Sequence, residues 1–183
     1  MREYSDSGNE LVTDDYVFFY TGVFSQWYLC DFEVELLGRK LTLNCAEQGM
    51  MLGKALHFKD EEAFEKILKQ KHPSQQKALG RQVRNFNKKV WDDDGVSRRI
   101  VYTVNFAKFT SSPELKIIML ATGDRKFVEA SPTDDIWGIK RSIRDVLIHD
   151  SRNWRGTNWL GEVLDDVKSS IVKMETKVHA RQI

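Results

Sequence analysis

Glu47 and Lys54 are the residues whose types and spacing could do chemistry. They stand seven positions apart in the stretch Asn44-Cys45-Ala46-Glu47-Gln48-Gly49-Met50-Met51-Leu52-Gly53-Lys54-Ala55-Leu56, which reads as a helix. On a helical wheel this spacing puts the carboxylate and the ammonium within about 20° of each other, two turns and roughly 10 Å apart. Met51 and Phe58 share their stripe and Met50 lies at its edge. A charged pair in such a stripe must be desolvated, paired or functional. Helix geometry alone leaves three readings open: a structural ion pair, partners to buried backbone groups, or a functional pair.

The elements that must position this helix follow from periodicity. Tyr16 to Tyr20 (YVFFY) suits a short buried strand, and Phe32 to Leu43 alternates around Gly38-Arg39 as a β-hairpin. From residue 45 the helical period takes over. Helix 45–58 is apolar on nearly every side, with Gly49 and Gly53 together on the face away from Glu47, where another backbone can approach closely. Asp60 caps a following helix with Glu61 and Glu62 in its first turn. His72-Pro73-Ser74 restarts the chain for a helix through about Val83. Residues 97–110 form another helix, with Ile100, Val104 and Ala107 on one stripe. Ser112-Pro113 starts the next, and Gly123 follows its end. Phe127 to Ser131 is too short to separate from a strand, and the charged run 139–153 reads as an irregular excursion or short helix. From Thr157 onward Leu160, Val163, Leu164, Val167, Ile171 and Met174 line a long amphipathic helix. The expectation is a mainly α fold: a flexible leader over 1–15, then a single multihelical domain over 16–183 with a small antiparallel sheet near its N-terminus.

Bulk properties narrow the class. The 183 residues, 41% hydrophobic and 11% aromatic, are those of a folded globular chain. No apolar run approaches the ~18 residues of a membrane span, the polar, acidic start is not a secretory signal, and Cys30 and Cys45 form no CxxC. A reduced, cytoplasmic setting is expected. The net charge of +1 is unevenly spread: residues 1–35 carry eight acidic groups against Arg2, whereas 77–108 carry eight basic groups against three aspartates. That basic segment is either a solvated helical face or a surface for a phosphate, on a metabolite or on nucleic acid. There is no Gly-rich phosphate loop, no GxSxG and no HExxH, and His57, His72, His149 and His179 lack metal-ligand spacing. No cofactor or metal is required.

What remains is a series of polar residues beside aromatics at element ends: Phe24-Ser25-Gln26-Trp27, Asn44 through Lys54, Gly80-Arg81-Gln82-Val83-Arg84-Asn85, Asn105-Phe106-Ala107-Lys108-Phe109, Ser131-Pro132-Thr133-Asp134-Asp135-Ile136-Trp137-Gly138 and Trp154-Arg155-Gly156-Thr157-Asn158-Trp159-Leu160-Gly161. In this order and spacing they resemble the YbiA-like, or NADAR, family of N-glycosidases. The most specific part is Glu-x6-Lys followed by Asp-x2-Trp-Gly and Asn-x-Leu-Gly, and the resemblance runs from about Val17 to the last helix. It implies a mainly α fold and hydrolysis of a bond between a ribose anomeric carbon and a nitrogen. The substrates it implies are phosphorylated ribosylamino-pyrimidine intermediates of riboflavin biosynthesis or ADP-ribosylated guanine. Two departures stand out. Gly49 occupies a position where relatives usually carry an aromatic, which is expected to open the pocket floor or to change what the base stacks against. The segment after Trp137-Gly138, usually glycine-rich, is the charged run Ile139 to Asn153.

The residue types suit this chemistry. Breaking an N-glycosidic bond builds positive charge at the anomeric carbon and negative charge on the departing nitrogen, so a carboxylate near the sugar and a general acid both help. Glu47 and Asp134 are the candidate carboxylates, with Asp135 as a solvated competitor. A lysine in an apolar pocket loses basicity, and its neutral amine can attack an anomeric carbon to form a Schiff base. Lys54 is the candidate nucleophile, or else a ligand of phosphate or ring oxygen. Trp27 and Trp137 are candidates to stack on a heterocycle, or are core tryptophans. Arg81, Arg84 and Lys108 are candidate phosphate ligands. Asn158 either meets ribose hydroxyls or caps the last helix, and Ser25 and Asn44 line the pocket. The expected partner is a small phosphorylated ribosylamine or an ADP-ribosyl substrate, with nucleic acid as partner if the ADP-ribose sits on guanine. The competing class is a non-catalytic module that binds ADP-ribose or a nucleotide.

Overall fold

Aromatic and branched residues at Tyr16–Phe19 form strand β3 of a four-stranded sheet, as their run predicts. The computed structural model describes residues 3–4 and 9–180, with side chains over 9–177. Strands β1 (Glu3–Tyr4) and β2 (Glu10–Val12) precede β3 and join it in antiparallel succession, Leu11 lying opposite Phe18. Strand is therefore present within the stretch read as a leader, of which residues 1–2 and 5–8 lie outside the described residues. Hairpin β4 (Phe32–Leu36) and β5 (Arg39–Leu43) matches the alternation, with Phe32, Val34 and Leu36 buried and Glu33 and Glu35 exposed. Its turn falls one residue earlier than read, on Leu37 and Gly38, both at positive φ.

The helices are α1 (Ala46–His57), α2 (Glu61–Leu68), α3 (Pro73–Gly80), α4 (Val96–Thr110), α5 (Pro113–Leu120) and α6 (Trp159–Ala180), with a π-helical turn over Lys89–Asp93. Helix α3 stops three residues short of Val83. The segment Lys126–Glu129 is strand β6 and pairs parallel with β3, Phe18 opposite Val128. A parallel partner more than a hundred residues away leaves no local signature in a four-residue run.

The chain divides into two compact units, one of residues 1–25 with 113–183 and one of residues 26–112. In the first, Leu11, Phe18, Val128, Ala130, Ile139, Ile143 and Ile148 make a buried cluster. The charged run is thus an excursion pinned by three isoleucines, with short 3-10 turns at Val146–His149 and Ser151–Asn153. Arg141, nearly buried, bonds Asp145 at 2.6 Å and the carbonyl of Asn153, closing the excursion on itself. On α6 the apolar stripe Leu160, Val163, Leu164, Val167 and Ile171 is buried, whereas Met174 is solvent-facing, so the stripe ends a turn before the pattern predicts.

In the second unit α1 is the central element, packed by α2, α3 and α4 and touched by β5. Every residue from Ala46 to Ala55 is buried. A Cβ at Gly49 would sit 2.6 Å from Leu43 and 2.7 Å from Val104. This glycine therefore lets β5 and α4 close onto α1. The expected opening of a pocket floor at Gly49 is corrected: core side chains fill that face.

Asn158 and Gly161 explain the Asn-x-Leu-Gly signature physically. Asn158 holds φ +58 and is buried. Its Oδ1 accepts from Glu129 N at 3.0 Å, and its Nδ2 donates to Phe127 O at 3.0 Å. One amide side chain thereby satisfies the edge of β6 as another strand would. A Cβ at Gly161 would collide with the Phe127 carbonyl and with that same amide. Gly161→Ala should consequently lower stability by roughly 2–4 kcal/mol, although the same exchange in an unobstructed helix is favourable. Chemical denaturation measures it, and an unchanged or raised midpoint would contradict the packing described.

Candidate active site

Helix α1 begins at Cys45, whose Sγ accepts from Gln48 N and donates to Gln76 Oε1 at 3.1 Å. Asn44 is fully engaged beside it: Nδ2 donates to Lys71 O at 2.8 Å and Oδ1 accepts from Gln76 Nε2 at 2.9 Å. Its amide ties the start of α1 to the α2–α3 connection. Two residues further on, Glu47 is 4% exposed. Its backbone N–H donates to Gln26 O at 2.9 Å, and the Trp27 indole N–H donates to its carboxylate at 3.3 Å. Trp27 is 45% exposed, so its ring offers a face to solvent while its polar edge holds a buried carboxylate.

Lys54 lies two turns along the same stripe and is also buried. Its Nζ sits 3.8 Å from the Phe86 ring centroid and 5.8 Å from that of Trp91. Among the described residues it has neither a hydrogen bond nor an ion pair. Burial lowers its basicity, and Arg81 lowers it further while Asp92 opposes both. The ring faces recover part of the lost hydration of the ammonium. Phe86 and Trp91 were not among the residues singled out from sequence. Two large aromatics in the otherwise charged run Arg84 to Asp94 were the available signal.

Two other missed residues stand at the Glu47 end. Gln26 Oε1 accepts from Asn105 Nδ2 at 3.1 Å, and Asn105 Nδ2 also reaches Val101 O at 2.9 Å. Gln26 Nε2 and Asn105 Oδ1 are buried with no hydrogen-bond partner among the described residues. Buried polar atoms left this way are costly unless a ligand or water meets them.

The candidate phosphate ligands differ. Arg81 is exposed and electrostatically close to Lys54. Arg84 is committed to Asp60: its backbone N–H and its Nη2 each reach that carboxylate at 2.8 Å, and Nη2 also faces Glu62 at 3.3 Å. Asp60 is buried, caps α2 through Ala63 N, and is held well below the usual carboxylate range, first by the Arg84 guanidinium. Lys108 is fully buried, its Nζ 5.4 Å from the Tyr28 ring and 5.0 Å from that of Phe109. Other members of the basic segment are paired locally, Lys88 with Asp92 and Lys89 with Asp94. The solvated-face reading accounts for most of that segment.

The remaining residues belong to the first unit. Ser25 is buried and its N–H closes a turn on Gly22 O. Asp134 Oδ1 accepts from Ile136 N at 3.0 Å and from Trp137 N at 2.7 Å, so this oxygen builds the turn carrying Trp137. Trp137 meets Trp159 edge-on at 5.7 Å. Asp135 is exposed and paired with Lys140, as the solvated reading expects. Asn158 spends both ends of its amide on β6, and its carbonyl accepts from Glu162 N in the first turn of α6. Among the described residues no group of three or more His, Cys, Asp or Glu could hold a metal ion, and no helix is long and apolar enough to cross a membrane.

Comparison with known proteins identifies the family and the fold. The NADAR domain model matches residues 18–172, which run through both units. An N-glycosidase of Acanthamoeba polyphaga mimivirus is 39% identical, covering 85% of this chain and 96% of its own. Protein irg-1 of Caenorhabditis elegans is 37% identical over 93% of this chain and 87% of its own. N-glycosidase YbiA of Shigella flexneri is 28% identical over 64% and 65%. The NMR structure of E. coli YbiA superposes with a TM-score of 0.69 at 24% identity, covering 92% of this chain and 91% of that one, and shares its fold. The chain belongs to the NADAR domain family. Membership places it among the hydrolases of N-glycosyl compounds.

The burial of Lys108 has a consequence for stability. Desolvation lowers its pKa from 10.5 to about 8, so between those values the unfolded chain binds a proton that the folded chain does not. Stability therefore rises with pH across that window, by about 1 kcal/mol from pH 7.5 to 9. Above pH 9 the Cys45 thiol, raised to about 11 by burial, opposes the trend. Denaturation midpoints should climb and then level off, and Lys108→Met should reduce the climb, leaving what the depressed Lys54 contributes. A climb of unchanged size in the variant would assign it to another group.

Proposed function

We propose that this chain cleaves the bond between C1 of a ribose and a nitrogen, its substrate being a small phosphorylated ribosylamino-pyrimidine of the kind formed in riboflavin biosynthesis. The observation that carries the reading is on α1: a buried carboxylate held by an indole N–H, and two turns away a desolvated lysine with no anion bound to it. Arg81, exposed and near Lys54, supplies a cation for a substrate phosphate. The orphaned amide atoms of Gln26 and Asn105 offer a donor and an acceptor suited to ribose hydroxyls. The local pairing of Arg84, Lys88 and Lys89 and the burial of Lys108 favour a small molecule over a nucleic-acid backbone. ADP-ribosylated guanine is the second substrate class, and it is judged by direct comparison.

In this reading the neutral Lys54 amine attacks C1 as the C1–N bond breaks, and the departing nitrogen takes a proton. The attacking amine gives up its proton, the sugar ring opens to a lysine imine, and water hydrolyses that imine to the free ribose phosphate and regenerated amine. Glu47 stabilises the positive charge at C1 and moves protons at that carbon. Trp27 orients Glu47 and offers its exposed face to the heterocycle. Asp134 is proposed as a further carboxylate through Oδ2, its Oδ1 being used by the turn. Trp137, Ser25 and Asn158 are proposed to line the substrate site, with Asn44 fixing the start of α1. The two units together are proposed as one domain over 16–183.

Four measurements test this. Turnover should be detected on a ribosylamino-pyrimidine phosphate and be much slower on an ADP-ribosylated guanine oligonucleotide; the opposite order would move the substrate to the second class, and saturable binding with no base or sugar released would leave a nucleotide-binding module. Glu47→Gln, which can still accept from Trp27, should lower kcat by about 10²–10³-fold with the fold intact. Borohydride should trap a sugar adduct on the wild-type chain and not on Lys54→Ala, and equal labelling of both would remove Lys54 as nucleophile. Because the amine must be neutral, activity should rise with pH through a value below that of an ordinary lysine.

A further inference from the structure

We propose that the outer edge of β4 and the facing stripe of α4 form a docking groove for an extended, basic segment of a partner protein. The hairpin register decides which backbone groups are open. With a two-residue turn at Leu37-Gly38, the pairs Leu36–Arg39, Val34–Leu41 and Phe32–Leu43 exchange the ladder hydrogen bonds. The N–H and C=O groups of Glu33 and Glu35 therefore point away from β5. Among the described residues none of these four groups has a backbone partner, and β4 pairs with β5 alone. A strand edge of this kind is a template for another strand.

The space beside that edge is shaped for one. A groove of about 690 Å³ runs between Asp31–Glu35 and the α4 residues Thr103, Phe106, Ala107 and Thr110, with Ser111 at its end. These helix positions recur at i, i+3, i+4 and i+7 and form one half-buried stripe. Its side chains are small apart from Phe106, whose ring is braced by stacking on Tyr102 at 6.1 Å. A helix face on one side and an open strand edge on the other leave a slot in which a single added strand fits.

Charge selects the occupant. Asp31, Glu33 and Glu35 are exposed and make no ion pair among the described residues. A strand added beside β4 presents alternate side chains to the face carrying Glu33 and Glu35, where Lys or Arg is favoured. The intervening side chains point toward α4, where small apolar groups meet Phe106 and Ala107. A second copy of β4 would set carboxylate against carboxylate and is disfavoured. The other open edge, β5, offers a copy little better: Arg39 is already held by both oxygens of Glu61 at 2.7 Å, leaving Lys40 against three acids.

The test uses the full chain and a labelled peptide of about seven residues alternating Lys with Val, with two further versions N-methylated on one or the other alternate set. The parent should bind saturably and protect the amides of Glu33 and Glu35 from hydrogen exchange. One methylated peptide should bind at least about tenfold more weakly and the other like the parent, since only one set of N–H groups faces β4. Glu33→Lys with Glu35→Lys should weaken the parent similarly and leave glycosidase turnover unchanged, which also reports an intact fold. Absence of saturable binding, equal binding of all three peptides, or unprotected Glu33 and Glu35 amides would each overturn the proposal. So would a concentration-dependent dimer that protects those amides without peptide, because the occupant would then be a second copy.

Discussion

The unit formed by residues 26–112 depends on keeping two opposite charges out of water on one helix. Removing a carboxylate or an ammonium from solvent costs several kcal/mol unless specific partners replace the hydration. Glu47 receives an indole N–H, and Lys54 receives ring faces. The surrounding elements hold these two side chains in place. Gln48 and Gln76 bond carbonyls at the end of α2 and just beyond it, those of Ile67, Leu68 and Gln70, and Asp60 gathers the start of α2 and the backbone of Arg84. Polar side chains that do no chemistry thus hold the frame in which two costly ones can be kept.

The same division of labour holds in the other unit. Asp134 and Asn158, both suited by type to touch a sugar, commit most of their hydrogen-bonding capacity to their own backbone surroundings. A signature residue can be invariant in type because a turn or strand edge needs that amide or carboxylate, and such a need is hard to separate from a catalytic one by spacing alone. Gly161, by contrast, has one physical explanation, the close approach of α6 to β6.

Much of the architecture was legible because periodicity reports burial. The alternation of Phe32 to Leu43, the unbroken apolar period of 45–58 and the stripe on α6 each became the element expected. What stayed hidden depended on distant partners. The parallel pairing of β6 with β3 has no local pattern. Gly49 was misread because a wheel shows which face a residue occupies and not what fills that face. At the candidate site, the Glu47–Lys54 stripe was readable from spacing. Phe86 and Trp91 were not, since an irregular segment and the π-helical turn after it, not an α-helix, bring them over Lys54. Lys108 looked like a surface cation within a basic run, and only packing shows it fully enclosed.

The order of the two units along the chain bears on how the protein is made. Residues 26–112 are continuous, so this unit can condense on the ribosome once its last helix has emerged. The sheet of the other unit must wait: β3 leaves the exit tunnel early, yet its parallel neighbour β6 follows by more than a hundred residues, and the helix that covers β6 comes last. An unfinished chain therefore carries the aromatic strand Tyr16–Phe19 with the edge away from β2 unpaired until β6 has emerged, and that interval is when nascent-chain chaperones have the strongest reason to engage it.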